Sequence, residues 1–468
     1  MNSRQSASLP ISENPTKQDQ FSIETGFPPG PKGLPVLGLG PQMIRDSLGL
    51  IQRLQQNWGD IVSMPLPGIK GVLTCDPDLI QLVFLQSEKK FHKSKLYERM
   101  AKVFGQGLVT SSGDTWKSAR KAMNPLFFQK AVLRYQDVVR SVTREFMSAL
   151  PAPGAKQPEI LLKKSMTDIA FKVLLKSIFP ECKSSLAIQF QKDFQILQDY
   201  SLGLMWNLWT PPLGVPTPGN IRYLGAKKRM ESIIDAEIKK RNSGQFADNH
   251  DFICLLMDMK KSDPKLTNQD IRDHVLTMFF AGHDTTANSM TFLFYLLSKH
   301  PGVTDNLRKY YQTSDDDGLS VAQKGQPDYP EQVINETLRL YPPAWMVNRI
   351  CSENFHYKHY TFKAGTTFFL PQYLVHRHHD HWEKPDDFYP EHFSDDLVKK
   401  RHKFAFFPFG GGPRNCIGLH FSMLEMKIVM KEVLLHLEPV LTELSDPELS
   451  TSITMSTKED IPMYFQRL

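Results

Sequence analysis

The sequence predicts a mainly α-helical fold with a minor β region, built as one unit around a single long helix. Apolar side chains recur at three-and-four spacing through most of residues 77–312, which is the period of amphipathic helices. One helix is expected to start at the capping signal Thr267-Asn-Gln-Asp270 and to run to about His300, before Pro301. At about 1.5 Å per residue it would span roughly 45–50 Å, enough to cross the whole molecule. Short β-like runs stand outside this helical region, at residues 61–66, 71–75 and 360–370.

The composition is that of an ordinary globular protein of the size of many enzymes. The chain has 468 residues, 41% of them hydrophobic, and 56 basic against 50 acidic side chains give a net charge of only +6. Nucleic-acid binding would require a concentrated basic face, which this small excess does not indicate. Phenylalanine outnumbers tyrosine, 30 to 14, so many aromatic rings need no polar partner. A large dry interior is therefore expected.

The amino terminus and the cysteines favour a cytoplasmic protein. Residues 1–26 are polar, with Arg4, Glu13 and Lys17 among them, so they lack the apolar core of a signal peptide and are expected to be a disordered leader. No run of 18 or more consecutive apolar residues predicts a membrane span. The five cysteines are odd in number and scattered, which argues against a disulfide scaffold. No repeat or extended linker divides the rest, so residues 27–468 are expected to form one domain.

The elements of that domain follow in order. The stiff Pro/Gly segment at residues 27–38 cannot be helical, and an amphipathic stretch leads from it into the first β-like runs. The clearest helical patterns after these are residues 130–150, 160–178 and 225–241. The long helix carries a glycine, an aspartate and two threonines at its centre, Gly282-His-Asp-Thr-Thr286, and these are poor helix-interior residues. Two explanations stay open: a local bend, or a polar notch that faces a bound group.

The strongest signal is the segment Phe406-Phe-Pro-Phe-Gly-Gly-Gly-Pro-Arg-Asn-Cys-Ile-Gly418, which precedes an amphipathic helix predicted at 419–437. Its glycines let the backbone approach a large planar ligand closely. Cys416 lies just before the helix, where amide N–H groups and the positive helix end favour a thiolate. Such a thiolate is a metal ligand or a nucleophile, whereas a lone cysteine is by default an inert buried thiol.

This segment resembles the haem-binding loop of the cytochrome P450 superfamily, F-x-x-G-x-R-x-C-x-G. Three further motifs follow the order of that family: W-x-x-x-R near the haem propionates, the A/G-G-x-D/E-T-T notch of the long helix, and the E-x-x-R helix pair. The residues that match are Trp116, Arg120, Ala281, Gly282, Asp284, Thr285, Thr286, Glu336, Arg339, Phe409, Gly412, Arg414, Cys416 and Gly418. The resemblance covers about residue 27 to the end, and it implies the P450 fold, with the long central helix over a buried haem.

The resemblance implies a haem b cofactor with Cys416 as the axial thiolate to its iron and O2 as co-substrate. Phe409 would pack beside the sulfur, and Gly410 and Gly418 would let the loop approach the haem. Side chains that would bind the two propionates are Arg414, Trp116, Arg120 and Arg349.

The notch and the helix pair also receive roles from the resemblance. Thr285 and Asp284 would be catalytic, delivering protons to dioxygen through an acid–alcohol relay. Glu336 and Arg339 would be structural and would support the cysteine loop together with a third residue. His392 stands where the family more commonly has arginine, and the sequence leaves open whether it fully replaces that side chain.

The substrate is expected to be lipophilic, a fatty acid, terpenoid or carotenoid that is hydroxylated or epoxidised. Apolar side chains that would line its pocket are Phe104, Leu108, Phe280, Ala281, Trp345 and Met346. Electrons would come from a separate ferredoxin or flavodoxin and its reductase, and a soluble monomer of the bacterial type is expected. Two alternatives stay open: a peroxide-driven variant, and a non-catalytic haem protein that binds or senses a lipid. Substrate identity, regiochemistry and redox partner are beyond what the sequence specifies.

Overall fold

The computed structural model describes residues 26–151, 158–182, 184–206, 211–243, 251–263, 266–313 and 327–468. All of the expected leader except residue 26 lies outside these ranges. Helices α1–α17 run, in chain order, over Gly40–Arg45, Ser47–Trp58, Pro77–Leu85, Lys95–Phe104, Gly113–Phe127, Gln129–Val132, Gln136–Ser148, Leu162–Ile178, Ser184–Trp206, Pro218–Asn242, Phe252–Ser262, Asn268–Lys299, Pro301–Thr313, Tyr329–Leu340, Gln372–Val375, Asp395–Lys400 and Leu419–Leu434. Strands β1–β12 run over Ile61–Ser63, Gly71–Thr74, Phe91–His92, Ile160–Leu161, Val347–Cys351, Phe355–Tyr357, Tyr360–Phe362, Thr367–Leu370, Leu437–Leu441, Leu449–Thr451, Met455–Thr457 and Pro462–Arg467.

The strands form small sheets beside the helical part, as expected for a minor β region. The largest sheet has the strand order β1-β2-β8-β5-β3, with β2 and β8 parallel and the other pairs antiparallel. A second sheet joins β4, β12 and β9, and the two hairpins β6–β7 and β10–β11 stand apart. The turn between β7 and β8 divides the single β run expected at 360–370, because Gly365 adopts a φ of +88° there.

The predicted long helix is confirmed as α12. Its first turn carries the expected capping box, in which the Asp270 N–H donates to the Thr267 hydroxyl and the Thr267 N–H donates to the Asp270 carboxylate. The helix has 32 residues. The glycine and the polar residues at its centre do not interrupt it, and the hydroxyls of Thr285 and Ser289 each donate to the carbonyl four residues earlier, so that both find a partner within the helix.

Two apolar cores hold the molecule together, and α12 belongs to both. Val275 and Phe279, in its first half, pack into a core formed with α4, α5, α8, α9, α10 and α11. Met290 and Phe294, in its second half, pack into the core that includes the large sheet and α17. The polar centre of the helix therefore lies between the two cores, and Asp284 and Thr285 are partly exposed there.

Other helical predictions are confirmed with shifted ends. The patterns at 160–178 and 225–241 correspond to α8 and α10, and the helix after the cysteine loop is α17, which ends at Leu434. The pattern at 130–150 is interrupted by a 3-10 turn at Leu133–Tyr135 that separates α6 from α7. Among the residues that the structure describes, no helix combines the length and apolar character needed to cross a membrane.

Candidate active site

The thiol of Cys416 is enclosed by protein and still accessible. The side chain is exposed, although burial raises the pKa of the thiol, against the opposing effect of the Gly418 and Leu419 N–H groups and of Arg120. Both observations fit a sulfur that faces an internal cavity. The backbone holds it there, because the Cys416 N–H donates to the Phe409 carbonyl at 2.8 Å. A bound metal cation would reverse the pKa shift and deprotonate the thiol.

Close packing requires glycine at two positions of the loop, Gly411 and Gly412. Gly412 has a φ of +67°, and a Cβ there would collide with the backbone oxygen of Phe84. A Cβ on Gly411 would meet the ring of Phe404 at 2.5 Å. Gly410 is also left-handed, with a φ of +71°, but a Cβ there would make only ordinary contact. The absence of a Cβ at Gly411 and Gly412 therefore lets the loop pack closely on Phe404 and on Phe84 of α3.

Two side chains, Gln372 on α15 and His376 directly after it, clamp the loop at Phe407, and no motif in the sequence indicates this role. The Phe407 N–H donates to Nε2 of His376 at 2.9 Å, and Gln372 donates to the Phe407 carbonyl at 2.8 Å. Burial, with Arg339 and Arg377 nearby, lowers the pKa of His376 well below its usual range, so the ring is neutral and able to accept. Both backbone groups of Phe407 are thereby satisfied inside the protein.

A group of cations lies beside the loop. Burial, followed by the neighbouring Arg414 and Arg349, lowers the pKa of Lys93 to about 6. Arg414 forms an ion pair with Glu88, and its guanidinium lies over the ring of Trp116 at 4.1 Å. Even with Lys93 neutral, two buried guanidinium groups outnumber the one carboxylate among them. The group is therefore short of negative charge.

The fit of these residues to a haem can be judged from their unsatisfied atoms. Nε of Arg349 and Nη2 of Arg414 are buried without a hydrogen-bond partner in the described part of the chain, as is the hydroxyl of Ser111, whose carbonyl accepts from Arg414. A buried guanidinium nitrogen without an acceptor is costly, and anionic oxygens are its natural partners. Paired carboxylates such as the haem propionates would supply them, so the residues present fit the cofactor.

Arg120 is differently engaged. It donates to the backbone carbonyl of Asn415 at 2.7 Å and to the side-chain oxygen of the same residue at 2.8 Å. It thus braces the loop next to Cys416, and its expected contact with a propionate stays a prediction.

The expected structural trio forms a closed, buried network. Arg339 pairs with Glu336 through two hydrogen bonds, at 2.7 and 2.8 Å, and His392 donates to Glu336 at 3.1 Å. All three side chains are fully buried. Although burial raises it, the hydrogen bonds from Arg339 and His392 hold the pKa of Glu336 below its usual value. Arg339 also donates to the carbonyls of His376, Pro385 and Asp387, which ties the network to the segment that clamps the loop.

A second arginine stands next to His392. The Arg401 guanidinium lies 3.6 Å over the ring of Trp382, and Arg339 lies over the same ring at 4.8 Å. Arg401 also donates to the His392 carbonyl at 2.8 Å. Burial lowers the pKa of Arg401 to about 10. A guanidinium therefore belongs to this network and is supplied nine residues after the histidine. In the sequence, Arg401 stands among Lys399, Lys400 and Lys403, a basic run that is typical of a solvated surface.

The catalytic candidates lie at the centre of α12, and both are partly exposed. The Thr285 hydroxyl donates to the Ala281 carbonyl at 2.8 Å, which leaves its oxygen able to accept a further hydrogen bond. The Asp284 carboxylate accepts from the hydroxyl of Thr454, which lies on the β10–β11 hairpin. Thr454 is a residue that the sequence did not suggest. The neighbouring His283 packs its ring edge-on against Phe171 and Phe194, and burial lowers its pKa.

The predicted pocket residues divide between core and accessible positions. Phe280, Ala281 and Met346 are partly exposed, whereas Phe104, Leu108 and Trp345 are buried. The rings of Phe104 and Phe280 are in contact, with centroids 4.1 Å apart. Phe104 and Leu108 belong to the same apolar core as the first half of α12, and Trp345 belongs to the other. Their role as a substrate lining stays a prediction.

A different group of possible metal ligands lies away from the loop, at His378, His379 and Asp380. His378 already uses both ring nitrogens, since Nε2 pairs with Asp60 at 3.0 Å and Nδ1 accepts from the Asp380 N–H at 3.2 Å. A metal would have to displace one of these partners, so the arrangement favours a structural histidine. A surface cleft of about 340 Å³ between Lys299 and Tyr389 is likewise lined by none of the predicted site residues.

Comparison with known proteins gives one consistent result. The family model described as Cytochrome P450 matches residues 28–463. The chain is 28% identical to cyclooctat-9-en-7-ol 5-monooxygenase of Streptomyces melanosporofaciens, over 87% of this chain and 88% of that protein. It is 27% identical to cytochrome P450 4d2 of Drosophila melanogaster, over 88% of each chain. Among solved structures it resembles retinoic acid bound cyanobacterial CYP120A1, with a TM-score of 0.81 and 22% identity over 95% of this chain and all of that one. The cytochrome P450DA heme domain gives the same TM-score at 20% identity, over 95% of this chain and 98% of that one.

Proposed function

The chain belongs to the cytochrome P450 family and is a monooxygenase oxidoreductase, and we propose that it binds haem through Cys416 and oxygenates a lipophilic substrate with electrons from separate redox proteins. The observation that carries the proposal is the thiol of Cys416, which is accessible although enclosed. It lies on a loop whose neighbours include buried, partly unsatisfied guanidinium groups. A thiolate and a cluster of cations suit a metalloporphyrin with acidic side chains.

Each residue would contribute one function. When bound, the haem supplies the iron at which O2 is activated, and the family implies this cofactor. Cys416 would hold the metal, with the neighbouring N–H groups and Phe409 tuning the sulfur. Arg414, Arg349 and Lys93 would neutralise the propionates. Because the bound carboxylates would offset the charge of the two arginines, the pKa of Lys93 would rise towards its usual value.

Side chains at the centre of α12 would transfer protons. The Thr285 hydroxyl would accept one hydrogen bond and donate another where O2 binds. The Asp284 carboxylate would exchange protons with Thr285 or with water. The Glu336–Arg339–His392 network would maintain the loop without touching the reacting atoms.

The substrate class is proposed from the apolar side chains near the notch and from relatives. Phe280, Ala281 and Met346 offer accessible apolar surface. The Streptomyces relative is named for an alkenol substrate, and the cyanobacterial structure holds retinoic acid. Hydroxylation or epoxidation of a fatty acid, terpenoid or carotenoid is consistent with these. A cytoplasmic setting and a monomeric state stay predictions.

An acidic ferredoxin or flavodoxin is the proposed electron donor. Four exposed lysines are associated with the cysteine loop. Lys117 and Lys121 lie on α5, the helix whose Arg120 contacts the loop, and Lys400 and Lys403 precede the loop in the chain. Complementary charge would steer such a partner. Replacing these lysines should slow reduction at low salt and have little effect at high salt; reduction that is insensitive to salt in the parent protein contradicts docking here.

Two measurements test the proposal. The carbon monoxide difference spectrum of the reduced protein should show the band of thiolate-ligated haem, and Cys416→Ser should lose it; a spectrum without that band in the parent contradicts the ligation. Thr285→Ala should keep the band but lower the product formed per reduced cofactor by about tenfold or more, since proton delivery contributes at least that much to such reactions.

Thr291→Ala is the matched control for Thr285→Ala. Its hydroxyl makes the same 2.8 Å bond to the carbonyl four residues earlier, at a buried position of the same helix. If Thr285→Ala and Thr291→Ala form the same amount of product per reduced cofactor, the relay is contradicted. Turnover supported only by peroxide identifies the peroxide-driven alternative, and substrate binding with no product under either condition identifies the lipid-binding one.

A further inference from the structure

A polar contact joins the centre of α12 to the far end of the chain. Asp284 and Asn288 are four residues apart, so they lie on one face of the helix. The hydroxyl of Thr454 lies between them, 2.5 Å from Oδ2 of Asp284 and 3.3 Å from the amide nitrogen of Asn288. The three side chains are brought together by the tertiary fold, since Thr454 is 170 positions from Asp284.

The chemistry of these groups sets the direction of both hydrogen bonds. The amide NH2 of Asn288 can only donate, so the oxygen of Thr454 accepts from it. The single proton of that hydroxyl is then directed to the carboxylate of Asp284, which can only accept when ionised. Hydrogen bonds to an ionised acceptor are roughly twice as strong as neutral ones. Thr454 therefore holds one oxygen of Asp284, and its own orientation is determined by Asn288.

The backbone around Thr454 is itself fixed. Thr454 closes the turn between β10 and β11, where Thr451 pairs with Met455. The N–H of Met455 donates to the carbonyl of Pro343 at 2.8 Å, and its side chain is fully buried. The hydroxyl of Thr451 shares a hydrogen bond with that of Ser47. Both ends of the turn are thus anchored to other elements, and Thr454 can act as a fixed donor.

We propose that Thr454, oriented by Asn288, is a positioning residue that holds the Asp284 carboxylate for proton delivery. The inference rests on the proposed function, in which Asp284 and Thr285 form the relay. A carboxylate on a helix can rotate about its side-chain bonds between separate wells, and a strong donor at one oxygen selects one of them. Without that donor the carboxylate would spend less time where it can exchange a proton with Thr285 or water.

The test compares two substitutions of Thr454 in the haem-loaded enzyme. Thr454→Val keeps the branched shape and removes the hydroxyl, whereas Thr454→Ser keeps the hydroxyl. Product per reduced cofactor should fall by about tenfold in Thr454→Val, the low end of what loss of an orienting partner costs, and should stay near the parent value in Thr454→Ser. Ser450→Ala, which removes a hydroxyl from the same hairpin, is the control and should leave the coupling unchanged.

A double-mutant cycle separates positioning from packing. In an Asp284→Asn background, Thr454→Val should cause little further loss of coupling, because the hydroxyl acts through the carboxylate. The unfolding temperature can be measured for the parent, the two single variants and the double variant. Thr454→Val should lower it less in the Asp284→Asn background than in the parent. Equal loss in Thr454→Val and Thr454→Ser, or an equal effect of Thr454→Val in both backgrounds, would overturn the proposal.

Failure of the proposed function is distinguishable from failure of this inference. If Asp284→Asn itself leaves coupling unchanged, the relay is wrong, while the unfolding cycle still reports whether the contact exists. If Asp284→Asn uncouples and Thr454→Val does not, the relay stands and the positioning role is refuted.

Discussion

Glu425 provides a sharp test of the energetics of this fold. The residue lies within α17, the helix that follows the cysteine loop, and its side chain is only 2% exposed. Its Oε1 is buried without a hydrogen-bond partner among the described residues, and its neighbours on the helix include the buried Leu424, Met426 and Ile428. Burial raises the pKa of this carboxyl from 4.5 to about 8. The folded protein therefore keeps Glu425 protonated at neutral pH.

The consequence for stability has a definite sign. In the unfolded chain the proton leaves near pH 4.5, and in the folded protein it leaves near pH 8. Between these values only the folded state holds the proton, so its stability is greatest below the lower pKa and falls as the pH rises to the upper one. At about 1.36 kcal/mol per pKa unit, and with titration incomplete at both ends of the range, this group alone lowers the free energy of unfolding by about 3–4 kcal/mol between pH 5 and pH 8.

Glu425→Gln should remove that dependence. Glutamine has the same length and cannot ionise, so the stability of the variant relative to the parent should rise by about 3–4 kcal/mol from pH 5 to pH 8. Any cost of burying the amide is the same at each pH and cancels in this difference. The measurement is urea unfolding of the haem-loaded proteins at pH 5, 6.5 and 8, followed by circular dichroism and by tryptophan fluorescence, whose agreement establishes a two-state transition.

Glu443→Gln, at an exposed position, is the matched control and should show no such trend. Other titrating groups are common to both proteins and do not enter the comparison. A difference between Glu425→Gln and the parent that stays constant from pH 5 to pH 8 would refute the reasoning, since it would mean that the carboxylate ionises inside the protein at no cost.

Two further predictions concern the support of the loop. Gly412→Ala should prevent the loop from packing on Phe84 and cost more than about 2 kcal/mol, since it combines a left-handed backbone with a steric collision. The band of thiolate-ligated haem should be lost with it, whereas Gly302→Ala, where a Cβ meets nothing within 4 Å, should leave both stability and spectrum intact; equal behaviour of the two variants contradicts the packing argument. Arg401→Met should lower the free energy of unfolding by about 1–2 kcal/mol through loss of the contact with the indole ring and of its hydrogen bonds. Lys400→Met, at an exposed position of the same run, should change the free energy of unfolding by less than about 0.5 kcal/mol. If the denaturant midpoint moves equally in Arg401→Met and Lys400→Met, Arg401 is an ordinary surface cation.

The cysteine loop and the long helix were predictable because their signals are local. Cys416 and the loop glycines fall within a few positions of each other, and their spacing reflects backbone conformations that the neighbouring residues impose. The capping box at Thr267 and Asp270 is likewise read from four consecutive residues. The triad of Glu336, Arg339 and His392 was predictable only by resemblance, because nothing in the sequence alone distinguishes a buried pair from a surface one.

The partners of these residues were not predictable. Asp284 was expected to form a proton relay with Thr285, and the fold brings Thr454 to it from 170 positions away. Arg401 lies in a basic run that is typical of a solvated surface, yet its guanidinium packs on Trp382. Arg414 was expected to face a propionate, and Glu88 also reaches it from the loop after α3.

The sequence by itself determined the family, the α12 helix, the cysteine loop and the identity of the thiol that would bind iron. These are properties of short segments, where spacing and residue type set backbone conformation and the pattern of burial. Only the tertiary structure decided that Asp284 meets Thr454, which guanidinium nitrogens lack a partner among the described residues, and that Glu425 is buried in apolar surroundings. The reason is physical: the charge and hydrogen bonding of a side chain depend on every element packed around it, and those elements come from distant parts of the chain.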